Sequence, residues 1–442
     1  MVTRREILSA GAVVAGGLTV SKKAQASANG KSRKWESSYS GQKRKAMRPG
    51  KPGRDYQPVT TPGNTTLPYK IVDGVKVFHL IAEEVEHEFC PGLKATCWGY
   101  NGRVHGPTIE AVEGDKVRVY VTNRLIAPTT VHWHGVFLPS GMDGVGGLNQ
   151  AAIKPGETFM YEWTFRQHGT FMYHSHHDEM TQMALGMMGM IVVHPRRPDR
   201  NYRVDRDFVI MLSEWSIKPG TSRPNSIAMN DFNVLTMNAR AFPGTEALVC
   251  KKGDRVRIRL GNLSAMDHHS IHLHGHYFKV VATDGGQIPV SAQWPETTVI
   301  VPTGASRDIE FIASEEGDWA FHCHMTHHGM NQMGHNIPNM IGANIARLNE
   351  QVRPILPEYM AMGHNGMGDH VLMEMPAPPN SIPMLGAKGP HGGITMGGMF
   401  SIVKVREKVS ADYRDPGWYN APKETIAKQA SAEALKKDGI II

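Results

Sequence analysis

Residues 321–333, FHCHMTHHGMNQM, place four histidines and three methionines around one cysteine. Three further segments also pair histidines one residue apart: HWH from residue 132, HSH from residue 174 and HLH from residue 272. Side chains at i and i+2 of a strand lie on the same face, so each H-x-H pair aims two imidazoles at one point. Neutral imidazoles and thiolates are ligands of transition metals. The spacing therefore predicts metal centres.

Four H-x-H pairs supply more nitrogens than one ion needs, and we expect three ions to share them. The eight predicted ligands are His132, His134, His174, His176, His272, His274, His322 and His324. In H-C-H, Cys323 faces away from the two flanking histidines, so its sulfur is free to bind a separate ion. Two short backbone paths would join that ion to the cluster, an arrangement suited to electron transfer.

A thiolate, two imidazoles and a weak thioether form the ligand set of a blue-copper site. His269, Cys323 and His328 would supply the first three ligands, with Met333 as the expected axial ligand and Met396 as the alternative. Zinc also binds cysteine and histidine, but it has no redox chemistry. Zinc would leave the bridge through Cys323 without a role, so copper is favoured.

The four clusters, in this order and with HxxHLHGH and HCHxxxH intact, resemble the four copper signatures of the multicopper oxidases over residues 69–333. The resemblance implies four coppers per chain. It implies a type 2 copper on His132 and His272, a type 3 copper on His134, His174 and His324, a second type 3 copper on His176, His274 and His322, and a type 1 copper on His269, Cys323 and His328.

Four other residues lie close to these signatures. Several family members carry an acid at the position of Asp143 that relays protons to the oxygen site, which consumes four protons per O2. The alternative is that Asp143 only forms part of a glycine-rich turn. The histidines at positions off the signatures are interpreted as neighbours of the ligands or as packing residues: His268, His276 and His327.

Two segments upstream of the histidine pairs repeat each other. EGDKVRVYVTNRL (residues 113–125) and KGDRVRIRLGNLS (residues 252–264) share a Gly-Asp turn, an alternating pattern and an asparagine. HWHG and HLHG follow them at nearly the same offset. Period-two alternation recurs in VKVFHLIAEEV, FVIML and FSIVKV, which predicts strands. We expect an all-β chain of two homologous sandwich domains, which the resemblance implies are cupredoxin-like Greek-key domains.

The predicted organisation has six segments. They are a signal (residues 1–26), a basic disordered linker (27–66), domain 1 (67–200), domain 2 (201–333 continued by 396–408), a Met/His-rich insertion (334–395) and a tail with a short helix (409–442). The insertion is predicted because GHNIPNMIGANI is a poor last strand, whereas TMGGMFSIVKV (residues 395–405) is a good one. Its thioethers suit either a Cu(I) route or adaptable packing.

Only 93 residues separate His176 from His269, too few for the extra domain of three-domain laccases. Ser175 stands where a type 1 site in domain 1 would need cysteine, so one type 1 copper is expected, in domain 2. The resemblance to two-domain members implies a homotrimer with each trinuclear site between subunits.

The N-terminus resembles a twin-arginine export signal, with Arg4-Arg5, a short apolar run and AQA at residues 24–26. This predicts a periplasmic or secreted protein; a membrane-tethered N-terminus is the alternative. No other stretch is apolar enough to predict a transmembrane helix. The net charge of +7 owes much to the low-complexity residues 31–54, interpreted as solvated linker rather than a polyanion-binding surface, so no nucleic-acid partner is expected.

An exported protein can form disulfides. Cys90 and Cys97 flank a short loop and are candidates for a pair, which would leave Cys250 over; the sequence does not fix this pairing.

These features predict a laccase-like oxidase that takes single electrons from a phenolic, aromatic or metal-ion donor and reduces O2 to water. One alternative is a cuprous oxidase in copper tolerance. A copper-sequestering protein would bind more than four coppers per chain and consume little oxygen. A copper nitrite reductase would lack a full set of type 3 histidines.

Overall fold

The computed structural model describes residues 47–217, 221–229, 232–330, 345–355, 357, 380, 382 and 386–441. The predicted signal, Met333 and most of the predicted insertion lie outside these residues. Strands dominate the rest, which confirms the all-β prediction. None of the helices in the described ranges is long and apolar enough to cross a membrane.

The first sandwich contains eight strands within the described ranges. They are β1 (Tyr69–Val72), β2 (Val75–Cys90), β3 (Leu93–Tyr100), β4 (Ile109–Val112), β5 (Lys116–Asn123), β6 (Thr158–Thr164), β7 (Gly169–His174) and β8 (Met188–His194). One sheet has the order β1-β2-β5-β6 with β3 on β2, and the other has the order β4-β8-β7. Alternate residues of β5 are buried, as its period-two pattern predicts.

The second sandwich has a seven-stranded sheet, β10-β9-β12-β18-β14-β15 with β16 on β14, and a five-stranded sheet, β11-β22-β19-β13-β17. Its strands are β9 (Arg206–Trp215), β10 (Val234–Met237), β11 (Leu248–Lys251), β12 (Arg255–Asn262), β13 (His269–Leu273), β14 (Phe278–Thr283), β15 (Gly286–Gln287), β16 (Trp294–Glu296), β17 (Thr298–Val301), β18 (Ser306–Ile312), β19 (Gly317–Cys323) and β22 (Phe400–Arg406). A small hairpin joins β20 (Ala387–Gly389) to β21 (Gly392–Ile394).

The internal repeat of the sequence is also a repeat of topology. β5 and β12 each follow a Gly-Asp turn and each pairs in parallel with an earlier strand, β2 or β9. In the first sandwich β8 pairs with β4 in parallel and with β7 antiparallel. In the second, β22 makes the same two pairings with β11 and β19. β22 therefore takes the place of β8, although a long segment separates it from β19.

A buried seam holds the two sandwiches together. Met172 and Met190 of the first sandwich pack with Met211 of the second. Beside them, the buried guanidinium of Arg259 donates to the hydroxyl of Thr170 in the first sandwich and to Asp207 and Asp308 in the second. Removing one partner of such a buried ion pair costs about 3–5 kcal/mol. The seam therefore fixes the two histidine-bearing halves relative to each other.

Three short α-helices lie in the described ranges. The tail contains α3 (Ala432–Lys437), in agreement with the short helix predicted there. Ser431 begins it, because its hydroxyl accepts a hydrogen bond from the Ala434 amide. The helix α1 (Glu179–Ala184) directly follows the HSHHD segment. The remaining helix of the described ranges is α2 (Ile345–Val352).

The suggested disulfide between Cys90 and Cys97 is wrong. In the β2–β3 hairpin Cys97 lies opposite Val85, whereas Cys90 lies opposite Leu93, so the two thiols are several residues apart along the strands. All four cysteines are buried free thiols. Burial raises the pKa of Cys90, Cys97 and Cys250 to about 12, so these thiols stay protonated.

Candidate metal centres

Quartet 1 is defined as His132, His134, His174 and His176. Backbone hydrogen bonds join His132 and His174 in both directions, which places their side chains next to each other. Ring centroids of neighbours within the quartet are 5.3 to 5.9 Å apart. Nδ1 of His134 lies 3.4 Å from Nε2 of His174. The structure thus brings together the four predicted ligands of the first sandwich.

Quartet 2 is defined as His272, His274, His322 and His324. His272 lies directly opposite His322 in the β13–β19 register, which repeats the relation of His132 to His174. Ring centroids of neighbours are 4.8 to 5.7 Å apart, and Nε2 of His274 is 3.1 Å from Nε2 of His322. Within the part of the chain that the structure describes, ring contacts join histidines inside each quartet but not between the two.

The thiolate site is defined as His269, Cys323 and His328. All three side chains are buried and their donor atoms converge. Sγ of Cys323 is 3.8 Å from Nδ1 of His269 and 3.6 Å from Nδ1 of His328, and the two nitrogens are 3.2 Å apart. The methyl group of Met396 packs against Gly329, next to His328. Met333, the other candidate for the axial position, lies outside the described residues.

Four quartet histidines share one orientation, in which Nδ1 lies at hydrogen-bonding distance from a backbone carbonyl. The pairs are His132 with Asp143 O (2.8 Å), His174 with Ser175 O (2.8 Å), His272 with Thr297 O (2.7 Å) and His322 with Cys323 O (2.9 Å). A carbonyl only accepts, so Nδ1 carries the hydrogen and Nε2 keeps its lone pair for a metal. Such partners fix the tautomer and the ring orientation of metal-binding histidines.

Burial also keeps these ligands ready to bind. It lowers the pKa of His174 and His269 to about 3 and that of His322 to about 4, so all three rings are neutral at neutral pH. Burial raises the pKa of the Cys323 thiol, so metal binding there must release its proton. Nε2 of His274 and Nε2 of His322 lie 3.1 Å apart, close enough for one ion to bind both nitrogens. The residues present therefore fit copper ions.

Sequence reasoning missed the group that orients His269. Oγ of Ser264, a buried side chain, lies 2.6 Å from Nε2 of His269, on the side of the ring away from Cys323. Asn262 fixes this loop, because its side-chain oxygen accepts from the Ser264 amide and its side-chain nitrogen donates to Asp267 O and Val301 O. The equivalent Asn123 makes the same set of bonds before quartet 1. The asparagine shared by the two sequence repeats was the feature from which this loop could have been predicted.

Two carboxylates lie at quartet 1. Oδ1 of the predicted Asp143 is 3.5 Å from Nδ1 of His132, so this acid lies beside one of the predicted copper ligands. The second carboxylate, Glu179, was not predicted. Its Oε1 lies 3.5 Å from Nε2 of His176 and 3.7 Å from Nδ1 of His174. The available signal was its position directly after HSHHD.

Two more acids lie at the outer side of the thiolate site, and neither was predicted. Oδ2 of Asp267 is 3.3 Å from Nε2 of His328. The carboxylate of the buried Glu214 accepts from the amides of Met266 and Asp267. Burial, followed by its hydrogen bond with Asp267, raises the pKa of Glu214 to about 8, so Glu214 is protonated at neutral pH.

The three histidines off the signatures do not join any of these clusters. Nδ1 of the exposed His268 accepts from the Thr303 amide. His276 is buried edge-on against Trp319. His327 is exposed on the turn before His328.

Two sandwiches, two histidine quartets and a buried Cys/His site define a cupredoxin-like copper protein. Two family models described as multicopper oxidase match the chain, one over residues 82–198 and the other over residues 217–342. Together they cover more than half of its length. The chain belongs to the multicopper oxidase family.

Several curated relatives match part of the chain. Copper resistance protein A of Pseudomonas syringae pv. tomato is 40% identical over 125 residues, covering 28% of this chain and 20% of that protein. L-ascorbate oxidase of Brassica rapa subsp. pekinensis is 32% identical over 243 residues, covering 47% of this chain and 42% of the relative. The chain therefore spans less than half the length of these relatives.

Solved structures cover more of the chain. The multicopper oxidase mgLAC superposes with a TM-score of 0.56 at 27% identity, covering 76% of this chain and 88% of the other. The blue copper oxidase from Nitrosomonas europaea gives a TM-score of 0.55 at 26% identity, with 78% and 91% covered. These neighbours are consistent with the two-domain, laccase-like branch of the family.

Proposed function

We propose that this chain is a laccase-like oxidase that couples one-electron oxidation of a donor to four-electron reduction of O2 to water. The observation that carries this proposal is the tripeptide of residues 322–324. Cys323 belongs to the buried thiolate site, while His322 and His324, on either side of it, belong to quartet 2. One short stretch of backbone thus joins an electron-accepting site to an oxygen-reducing one.

We further propose the ligands of four coppers per chain. His269, Cys323 and His328 hold the type 1 copper, with Met333 or Met396 as its axial ligand. The type 2 copper takes His132 and His272; one type 3 copper takes His134, His174 and His324, and the other takes His176, His274 and His322. When bound, copper supplies the one-electron chemistry and the oxygen chemistry that side chains lack.

The division into domains and an insertion at residues 334–395 is part of this proposal.

Each trinuclear site needs both quartets, and no ring contact joins the quartets among the residues described in one chain. We propose that quartet 1 of one chain meets quartet 2 of another in a homotrimer. Sedimentation equilibrium of the copper-loaded protein tests this assembly. A monomer that retains all four coppers would contradict it.

Asp143 is proposed to supply protons to the oxygen site. Its side chain is one-third exposed and its Oδ1 is 3.5 Å from Nδ1 of His132, so it connects solvent to the edge of quartet 1. Reduction of one O2 to two waters consumes four protons, and a positioned carboxyl group can pass them from solvent one at a time.

The donor is proposed to bind where His328 approaches the surface. Oδ2 of Asp267 lies 3.3 Å from Nε2 of His328 and can accept a hydrogen bond from a phenol or attract a cation. Met266 and Met325, exposed by 53% and 42%, flank these residues in sequence. Soft thioethers beside a carboxylate favour a second candidate function, oxidation of Cu(I).

The test compares oxygen uptake by the copper-loaded protein with a phenol and with Cu(I), and counts copper per chain in the same sample. Rapid uptake with either donor, lost in Cys323→Ser, supports the oxidase. Faster uptake with Cu(I) than with the phenol, lost on deletion of residues 350–390, would identify a cuprous oxidase that uses the insertion. More than four coppers per chain with negligible uptake would contradict the proposal and favour copper sequestration.

The export signal and a periplasmic or secreted location are also proposed.

A further inference from the structure

Glu179 lies beside two histidines of quartet 1. It is the first residue of α1, directly after the HSHHD segment that carries two of the ligands. Asp178 has a φ of 48°, a left-handed conformation that turns the chain between the two. Oε1 of Glu179 consequently lies 3.5 Å from Nε2 of His176, while 44% of its side chain is exposed to solvent.

The nitrogens that Glu179 and Asp143 approach differ in whether they can bind a metal. His174 uses Nδ1 to donate to Ser175 O, so the 3.7 Å approach of Glu179 to that atom does not reach a lone pair. Asp143 likewise approaches Nδ1 of His132, which is engaged with a carbonyl. Nε2 of His176 has no such partner among the described residues. Glu179 therefore faces a nitrogen that is available to a metal.

We propose that Glu179 is an oxygen ligand that, with His176, captures copper from solvent and delivers it to quartet 1. Two donor atoms that each lie roughly 2.0–2.2 Å from one ion are themselves about 3–4 Å apart, and the observed 3.5 Å meets that condition. Mixed nitrogen and carboxylate donors suit Cu(II). This inference rests on the proposed copper-binding role of quartet 1.

The distribution of carboxylates among the three sites supports copper entry at quartet 1 rather than at quartet 2. Within the described ranges, no carboxylate oxygen forms an ion pair with a histidine of quartet 2. The thiolate site is buried, and its acid Asp267 lies at His328, in a different cluster. Glu179 thus marks quartet 1 as the side on which each chain first binds copper for the oxygen-reducing site.

The experiment uses the full chain, stripped of metal with a chelator and then mixed with Cu(II) alone. Copper per chain is counted at successive times after rapid desalting, and the colour of the thiolate site is followed in parallel. We expect Glu179→Gln to lower quartet copper uptake about 10–100-fold, the range for loss of a partner at a metal site. The thiolate colour should develop at the wild-type rate, because Glu179 does not touch Cys323.

Asp178→Asn is the matched control, since it removes the same charge from an exposed neighbour whose side chain forms no ion pair with the quartet within the described ranges. Glu179→Asp, which keeps a carboxylate, should recover part of the uptake. Circular dichroism checks that each variant folds. Uptake by Glu179→Gln at the wild-type rate, or an equal loss in Asp178→Asn, would overturn the ligand role. A wild-type chain that acquires neither thiolate colour nor quartet copper would instead refute the proposed function.

Discussion

The hydroxyl of Ser264 should set the copper affinity of the thiolate site. Nδ1 of His269 faces Cys323 and His328; with copper bound there, Nε2 would carry the hydrogen and donate it to Oγ of Ser264, 2.6 Å away. Both side chains are buried, at 2% and 0% exposure, so no water replaces the hydroxyl in Ser264→Ala. With copper on Nδ1, the Nε2 hydrogen would lack a partner, which costs about 1–3 kcal/mol.

The metal-free variant escapes most of this cost, because the ring can move its hydrogen to Nδ1. The cost therefore falls on copper binding, and we expect affinity at this site to drop roughly 10–100-fold. Chelator competition, with the thiolate colour as the readout, measures the drop. Ser270→Ala is the control, because Ser270 is one residue from His269 on the same strand and its hydroxyl makes no hydrogen bond within the described part of the chain. An unchanged affinity in Ser264→Ala would refute this account of the His269 orientation.

Three further predictions concern other buried groups. The pKa of Glu214 is raised from 4.5 to about 8, so this group contributes full stability below pH 4.5 and loses it as pH rises towards 8. At about 1.4 kcal/mol per pKa unit the loss is a few kcal/mol, and Glu214→Gln, which resembles the protonated form, should flatten it. Urea unfolding at pH 5, 6.5 and 8 measures the slope, and an unchanged slope in the variant would contradict the assignment. Cys323→Ser should lower copper by one per chain and abolish donor oxidation while the quartets keep theirs; elemental analysis showing four coppers would count against the thiolate site. Reducing agent should leave the melting temperature unchanged in calorimetry, because Cys90 and Cys97 are free thiols; a clear decrease would indicate a disulfide.

The sequence predicted well those features that depend on local periodicity. Alternation in a strand is enough to place His322 and His324 on one side and Cys323 on the other. The repeated Gly-Asp segments predicted two like domains, and the parallel pairing of β5 and β12 follows the same repeat.

Features that depend on distant parts of the chain were not predictable in this way. Glu214 reaches Asp267 because β9 and β12 are neighbours, a relation that no spacing rule supplies. Cys90 and Cys97 looked like a pair from their separation in sequence, but hairpin register decides where their side chains lie. Glu179 depends on the left-handed turn at Asp178, which the residue type permits but does not require.

The pairing of β22 with β19 fixes both ends of the segment between His328 and β22. The chain departs after His328 and returns at β22, where the Gly397 and Met399 amides donate to Gly329 O and His328 O, and the Cys323 amide donates to Met399 O. Both ends are therefore fastened beside the copper ligands. Exchange of the chain between Met333 and Met396 would therefore retune what the protein accepts from its surroundings while His269, Cys323 and His328 stay in place.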